Sequence, residues 1–446
     1  MRKRIVLMNL LLSGCASSRQ PQATEQVPDD GYHGLPPEQG DTGEDLPGEW
    51  AVEDEGTVLE TLPSVHGECS SAEPYAVSWN GDEILIAYGE CSGESVHVPR
   101  VMRLDRVGRQ IGEPVEVPGM PLQGGASIPW TDVRWAAVFD SSRAGETELF
   151  LRPIEGDLTL GDELRLTTKD GAVGLGGAAW LGAAWLGETL GIVANGTYRR
   201  ADPFVGVDAS SVRAIDAEST ESILTVNGRL VVAFASIREG QYDPYVSVVD
   251  ASGEPETASA IKLAATEQNS GPVLVAWTGD GFLAAFREDI PEPSGSLVPG
   301  VSVVLADGSG QPIDGSLRLS LPHEGESGPA TDDDPSGSHD PIALVATGNE
   351  RILLVLRSQI GDREHAPSDL AAFRLDSTGA PDPDGPTVIA SSLNDLTDGR
   401  EASVRAAWAV AMGPAEIAVV WDYFDEGDEY GDASFSRIGF ARLVLR

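Results

Sequence analysis

Leu104-Asp105-Arg106-Val107-Gly108 closes one apolar run and opens the next. The same five-residue pattern returns as Val249-Asp250-Ala251-Ser252-Gly253, Ala306-Asp307-Gly308-Ser309-Gly310 and Leu375-Asp376-Ser377-Thr378-Gly379. An Asp at the first turn position bonds the backbone two residues on, and a Gly at the fourth tolerates positive φ, so each copy reads as a hairpin turn between two strands. Val207-Asp208-Ala209-Ser210-Ser211 reads as a degenerate copy, with Ser211 in the glycine place. Ile154-Glu155-Gly156-Asp157 supplies a further hairpin between them.

A second signal precedes each turn. Ser78-Trp79-Asn80-Gly81, Val226-Asn227-Gly228, Ala276-Trp277-Thr278-Gly279 and Ala346-Thr347-Gly348-Asn349 each stand before an apolar run. Asn-Gly between apolar runs is a strong hairpin signal. Weaker copies lie near residues 135–139 and 190–194, and a last one spans 403–421. Each repeat thus carries strand A, a short turn, strand B, a longer loop, strand C, the Asp turn and strand D. Four antiparallel strands every ~45–70 residues is the pattern of a propeller blade.

The expectation is therefore an all-β fold, a seven-bladed β-propeller of four-stranded blades. The last repeat lacks its fourth strand, and Thr57-Val58-Leu59-Glu60-Thr61-Leu62 looks like an orphan D strand. Residues 57–62 are predicted to complete the last blade, which removes an exposed sheet edge. An eight-bladed ring and a pair of β-sandwiches are the alternatives. The Ala/Gly-rich stretch 178–187 makes the third blade the hardest to read.

The chain has 446 residues, with 71 Asp plus Glu against 30 Lys plus Arg and a formal charge of -41. That field argues against nucleic acid, whose phosphates need the opposite sign. It also disfavours adsorption of the folded surface to an anionic membrane. With 51 Gly and 30 Pro the composition suits turn-linked strands rather than a helical bundle.

Arg2, Lys3 and Arg4 precede an apolar stretch over residues 5–12, the order of an export signal. Leu12-Ser13-Gly14-Cys15 resembles the bacterial lipobox. The resemblance implies a signal peptide over 1–14, acylation of Cys15 and, with Ala16 rather than Asp next, an outer-membrane destination. A cytosolic start with a chance Cys is the other reading. Residues 15–49 hold Pro, Gly, Gln, Asp and Glu with little periodic apolar content, and read as a disordered acidic tether. Residues 50–446 form the propeller. No later stretch reaches the ~20 apolar residues of a membrane helix, so lipid alone is expected to hold the chain. The whole array resembles repeat-built β-propeller lipoproteins of bacteria, which carry the same Trp-Asn-Gly and Leu-Asp-x-x-Gly marks. That resemblance brings no catalytic residues with it.

Cys69 and Cys91 invite a disulfide in an oxidising compartment, with two separate buried thiols as the alternative. In a propeller the A–B and C–D turns lie on one face and the B–C and D–A loops on the other, where both cysteines are expected. The long loops 287–300, 321–341, 357–369, 389–401 and 422–434 also belong to that second face, which is the expected binding face. It collects Asp332, Asp333, Asp334 and Asp340 in one loop and Asp422, Asp425, Asp428 and Asp432 in another. Such carboxylates suit Ca2+ or a solvated acidic surface, and neither loop follows the Asp-x-Asp-x-Asp-Gly pattern.

The six histidines form no His-Glu-x-x-His, and no Gly-x-Ser-x-Gly elbow occurs. Trp79, Trp135, Trp180, Trp277 and Trp408 recur near strand A, and Trp421 ends a strand B. This regularity predicts packing between blades, with Trp185 the candidate for a stacking platform. The expected protein is a monomeric, lipid-anchored binding or scaffolding module of the cell envelope, taking a protein or polysaccharide partner and no cofactor. The alternatives are a polysaccharide hydrolase or lyase with carboxylates at the central channel mouth, and a Ca2+-dependent adhesion module.

Overall fold

The computed structural model describes residues 50–60, 71–92, 96–120, 126–143, 146–167, 181–208, 211–217, 221–238, 240–257, 259–265, 270–291, 297–321, 339–347, 350–358, 368–383, 385–390, 403–425 and 435–445. Strand β1 (Trp50–Glu60) comes first. The first blade is β2 (Ser71–Trp79), β3 (Ile84–Ser92), β4 (Val96–Leu104) and β5 (Gln110–Glu116). The second is β6 (Ala126–Ser127), β7 (Trp135–Arg143), β8 (Glu146–Ile154) and β9 (Leu164–Arg165). The third holds β10 (Leu181–Trp185), β11 (Leu190–Ala194), β12 (Thr197–Asp202) and an outer strand broken into β13 (Gly206–Val207) and β14 (Arg213–Ala214).

The fourth blade is β15 (Ser222–Val226), β16 (Arg229–Ile237), β17 (Tyr242–Val249) and β18 (Ile261–Lys262). The fifth is β19 (Ser270–Trp277), β20 (Gly281–Pro291), β21 (Leu297–Asp307) and β22 (Arg318–Leu321). The sixth is β23 (His339–Thr347), β24 (Glu350–Ser358), β25 (Ser368–Leu375) and β26 (Thr387–Ala390). The seventh joins β27 (Ser403–Gly413), β28 (Glu416–Asp425) and β29 (Phe435–Leu445) to β1. The first strands β2, β6, β10, β15, β19, β23 and β27 touch one another in a closed circle around the axis.

The second strand of each blade explains why the sheets stack. It is covered on both faces, so it is a continuous apolar run rather than an alternating one. Ile84, Ile86 and Tyr88 face the seventh blade while Leu85 and Ala87 face the second. Seven buried apolar clusters fill the seven seams. Trp135 and Trp421 are fully buried in two of them.

The Asp turns lock neighbouring blades. Asp105 Oδ1 accepts from the Val107 and Arg109 backbone N–H groups at 3.0 and 2.8 Å, and Asp250, Asp307 and Asp376 repeat the geometry. Gly108 sits at φ +80°, and a Cβ there would lie 2.3 Å from the Phe440 ring of the seventh blade. Gly253 of the fourth blade meets Tyr198 of the third in the same way, at 2.1 Å. Gly310 abuts Val246 and Gly379 abuts Val303, again in the preceding blade. The glycine contact between the first and seventh blades is thus of the same kind as those inside the chain.

The closing strand is the one expected but starts earlier. β1 pairs with β29 from Trp50↔Leu445 to Glu60↔Arg437, with Thr57 opposite Gly439; residues 61–62 lie outside the described residues. Trp50, 5% exposed, and Val52 extend the apolar alternation into the seam with the sixth blade.

Other expectations are corrected. The third blade turns at residues 202–206, where Asp202 Oδ1 accepts from Phe204 N at 2.7 Å and Gly206 has φ +104°. Asp208 instead opens a kink inside the outer strand, with Ser211 N bonded to Asp208 O. The expected loop 287–300 is mostly hairpin, paired continuously from Arg287↔Val301 to Pro291↔Leu297. Trp135 begins a second strand rather than a first, and Trp421 lies inside β28 rather than at its end. Trp180 and the proposed signal, Cys15 and tether lie outside the described residues.

Candidate functional site

The antiparallel order puts the A–B and C–D turns at one end of the ring and the B–C and D–A connections at the other. At the inner edge each first strand has a row of backbone groups with no strand partner, and side chains of the preceding blade reach across to several of them. Ser127 Oγ donates to Ala183 O at 3.1 Å, and Thr347 Oγ1 donates to Gly413 O. In the fourth blade the Glu221 carboxylate accepts from Val273 N at 2.7 Å, and Ser222 Oγ accepts from Val275 N at 3.4 Å. Burial raises the Glu221 carboxyl to about 7 despite the backbone N–H groups of Val273 and Ala235, which pull the other way. An acid with that value at the loop-side start of a first strand can both hold and release a proton near neutrality.

Two ion pairs link neighbouring blades at the same end of the ring. Arg287 of β20 meets Asp340 of β23 at 2.8 Å, bridging the fifth and sixth blades. Arg238 forks onto Asp216 at 2.7 and 2.9 Å while its guanidinium lies 4.4 Å from the Tyr245 ring centre. The Arg238 hydrogen bond, the largest cause, holds the Asp216 carboxyl below the usual range. Burial raises Asp140 on β7.

Three of the sequence-predicted acids are described, and all three lie in strands. Asp340 is in β23, Asp422 is 3% exposed within β28, and Asp425 ends that strand. Asp332, Asp333, Asp334, Asp428 and Asp432 lie outside the described residues. Cys91 is in β3 rather than a loop, opposite Ser71 and His97, and Cys69 lies outside the described residues. Among the described residues no group of three or more His, Cys, Asp or Glu converges as a metal cage.

The short-turn end carries an arrangement the sequence reading missed. In the turn between β6 and β7, Asp132 adopts φ +64° and accepts from Trp185 Nε1 of the third blade at 2.7 Å. Two residues on, the Arg134 guanidinium stacks 4.2 Å from the Phe204 ring centre and pairs with Glu155 at 2.6 Å. Between these anchors Val133 is 61% exposed, and beside them Phe204 and Val205 are 54% and 81% exposed. Asp132, Glu155 and Asp202 border this apolar patch. The legible signal was Phe204-Val205, two large apolar residues in a turn where the fourth, fifth and sixth blades place Ala-Ser, Gly-Ser and Ser-Thr. Trp185, the expected stacking platform, is half-buried here and held by Asp132.

No known protein family and no curated protein matches the sequence. Solved structures do resemble it in shape. The β-propeller domain of the Trilobed protease from Pyrococcus furiosus, described as having an open velcro topology, matches at 11% identity and a TM-score of 0.45, over 83% of this chain and 95% of that one. A subtype N11 neuraminidase-like protein of A/flat-faced bat/Peru/033/2010 (H18N11) matches at 10% identity and a TM-score of 0.40, over 89% and 97%. A glycoside hydrolase described as putative, from Bacteroides ovatus ATCC 8483, matches at 10% identity and a TM-score of 0.33, over 67% and 89%. Likeness at this level concerns the fold, and the blade count above rests on the sheets themselves.

Proposed function

We propose that the protein is a lipid-anchored cell-envelope binding module that grips a partner protein with the patch at the end of the second and third blades. The observation that carries this reading is Val133, Phe204 and Val205, three large apolar side chains left in water yet pinned by Trp185–Asp132 and Arg134–Phe204. Apolar surface rimmed by polar groups is characteristic of interaction sites. A patch bordered by Asp132, Glu155 and Asp202, on a chain of formal charge -41, is complementary to an apolar knob ringed by Lys and Arg. The lipobox-like Leu12-Ser13-Gly14-Cys15 and the tether after it support presentation at a membrane surface.

The test replaces Val205, and separately Val133, with the photo-crosslinker p-benzoylphenylalanine in the full chain, in cells that produce it. One protein crosslinked at both positions, through a segment bearing apolar and basic residues, supports the reading, provided Phe204→Ala abolishes the adduct. No adduct, or one equally abundant at the exposed outer-edge residue Ile313, overturns it.

A second reading is favoured by Glu221: an envelope polysaccharide hydrolase using that acid at the channel mouth. Carboxyl groups raised toward neutrality are what glycoside cleavage needs as a general acid. Hydrolysis of envelope polysaccharide by the wild type but not by Glu221→Gln supports this reading; equal turnover by both, or none by either, eliminates it.

A further inference from the structure

Arg199 on β12 is 5% exposed, and its Nη1 is buried without a hydrogen-bond partner. Its neighbour Tyr198 packs in the seam with the fourth blade, while Ala201, two residues on, packs in the seam with the second. Alternation therefore turns Arg199 toward the second blade. It pairs across to Ile192, a member of that same cluster.

The repeat shows how unusual this is. Each blade has, at the same register, a third-strand residue that stands opposite its second strand and faces the preceding blade. That residue is Met102 opposite Ile86, Val304 opposite Ala284, Phe373 opposite Leu353 and Ala441 opposite Val419, and in the fourth blade it is the small, buried Ser247 opposite Val232. The first four belong to apolar seam clusters. The second blade has Arg152 there, and Arg152 is matched by Glu163 at 2.9 Å. Arg134, Arg165, Arg200 and Arg213 of the same two blades likewise face Glu155, Glu148, Asp208 and Glu254. Arg199 faces no carboxylate in any ion pair among the described residues, and burial alone lowers its proton affinity. A buried cation left uncompensated is strongly destabilising, so a packed seam does not keep one without a counter-charge.

We propose that Arg199 is the floor of an oxyanion site in the seam between the second and third blades. Its ligand is a carboxylate, sulfate or phosphate group that supplies the missing negative charge. The planar guanidinium fork selects oxyanions over a spherical ion because it donates two parallel hydrogen bonds. At ordinary ionic strength the chain's distant acidic groups are screened beyond ~8 Å, so the net charge does not bar a small anion from this seam. The site is independent of the apolar patch and goes beyond the binding function proposed above.

The experiment compares wild type, Arg199→Met and Arg199→Lys in acetate, sulfate, phosphate and chloride at matched ionic strength. Met is the residue of the first blade at this place, so Arg199→Met retains the fold. The proposal expects a saturable rise in wild-type Tm of about 2–4 °C with at least one oxyanion over chloride. It also expects at least tenfold weaker binding by calorimetry in Arg199→Lys, and none in Arg199→Met. Without oxyanion, Arg199→Met melts higher than wild type. A wild-type Tm indifferent to the oxyanion, a rise that persists in Arg199→Met, or an Arg199→Met that melts lower in chloride would each overturn the site. Which oxyanion raises Tm separates a carboxylate ligand from a phosphate or sulfate ester.

Discussion

Arg106 of the first blade donates from Nε to both carboxylate oxygens of Glu416 in the seventh, at 2.9 Å each, across 310 residues of sequence. Glu416 also accepts from Arg442 at 3.1 Å, and Arg442 reaches Glu53 of the closing strand at 2.8 Å. Four side chains from β1, β28, β29 and the first Asp turn thus meet at the place where the ring joins. The inner part of this network is a repeat feature. Glu83 with Arg103 and Glu350 with Arg374 occupy the same places in the first and sixth blades. The joint adds Arg106 and Glu53 to it.

Glu416 is 7% exposed, and its removal leaves two guanidinium groups facing each other. Glu416→Ala is expected to lower stability by about 2–4 kcal/mol, whereas Arg106→Ala, half-exposed at its side chain, costs less than about 1 kcal/mol. Burial alone would raise the Glu416 carboxyl, but hydrogen bonds from Arg106 and Arg442 outweigh it and hold it below its ordinary value. A carboxyl depressed in the folded state stabilises above its unfolded value and loses that contribution as pH falls through the folded one. The gap in denaturant midpoint between wild type and Glu416→Ala should therefore persist at neutrality and narrow only below the usual glutamate range.

Glu221 behaves in the opposite sense. Its folded value of about 7 stands above the ordinary 4.5, so the folded state holds the proton more tightly between those values. The stability it allows is full below about 4.5 and is lost as pH rises through about 7. Stability measured by urea from pH 5 to 8 should fall in the wild type, and Glu221→Gln should flatten that slope. An unchanged slope in the variant would show that other groups carry it.

Gly108 and Gly112 separate strain from packing. Both have positive φ, +80° and +72°, but only Gly108 has the Phe440 ring in the way of a Cβ; nothing lies within 4 Å at Gly112. Gly112→Ala is expected to cost about 1–2 kcal/mol, the left-handed penalty alone. Gly108→Ala must also displace Phe440 and should cost clearly more, read as a larger drop in Tm. Equal losses would mean that the seam yields without resistance.

The ring was legible because its information is local and repeated. Asp-x-x-Gly turns and Asn-Gly hairpins are set by backbone chemistry that a few residues determine, and several copies averaged out the noise. Where the chemistry was substituted, the reading slipped. In the second blade Leu158 takes the left-handed place of the glycine at φ +65°, and in the third Asp202 opens the turn but its glycine, Gly206, comes one residue late. Site residues were harder, because they meet across blades. Asp132 and Trp185, or Arg287 and Asp340, lie 53 residues apart and share no motif. Arg199 was visible as a letter, but it became odd only once the repeats were set in register and its place proved to be a core position.

Closure by β1 makes a last prediction about chain order. Trp50 lies opposite Leu445, so the closing strand starts where the last strand ends, as a fourth strand does after a third inside any blade. A circular permutant that removes residues 1–62 and places Trp50–Glu60 after Leu445, through the Asp250-Ala251-Ser252-Gly253-Glu254 turn of the fourth blade, should therefore fold to the same ring. The same chain without the transferred strand leaves β29 as an open edge and should associate or aggregate. Sedimentation and far-UV circular dichroism of the two chains decide the matter. A monomeric, cooperatively melting chain lacking β1 would show that the ring holds without it. A permutant that fails to fold while the native order does would show that closure depends on the strand arriving first.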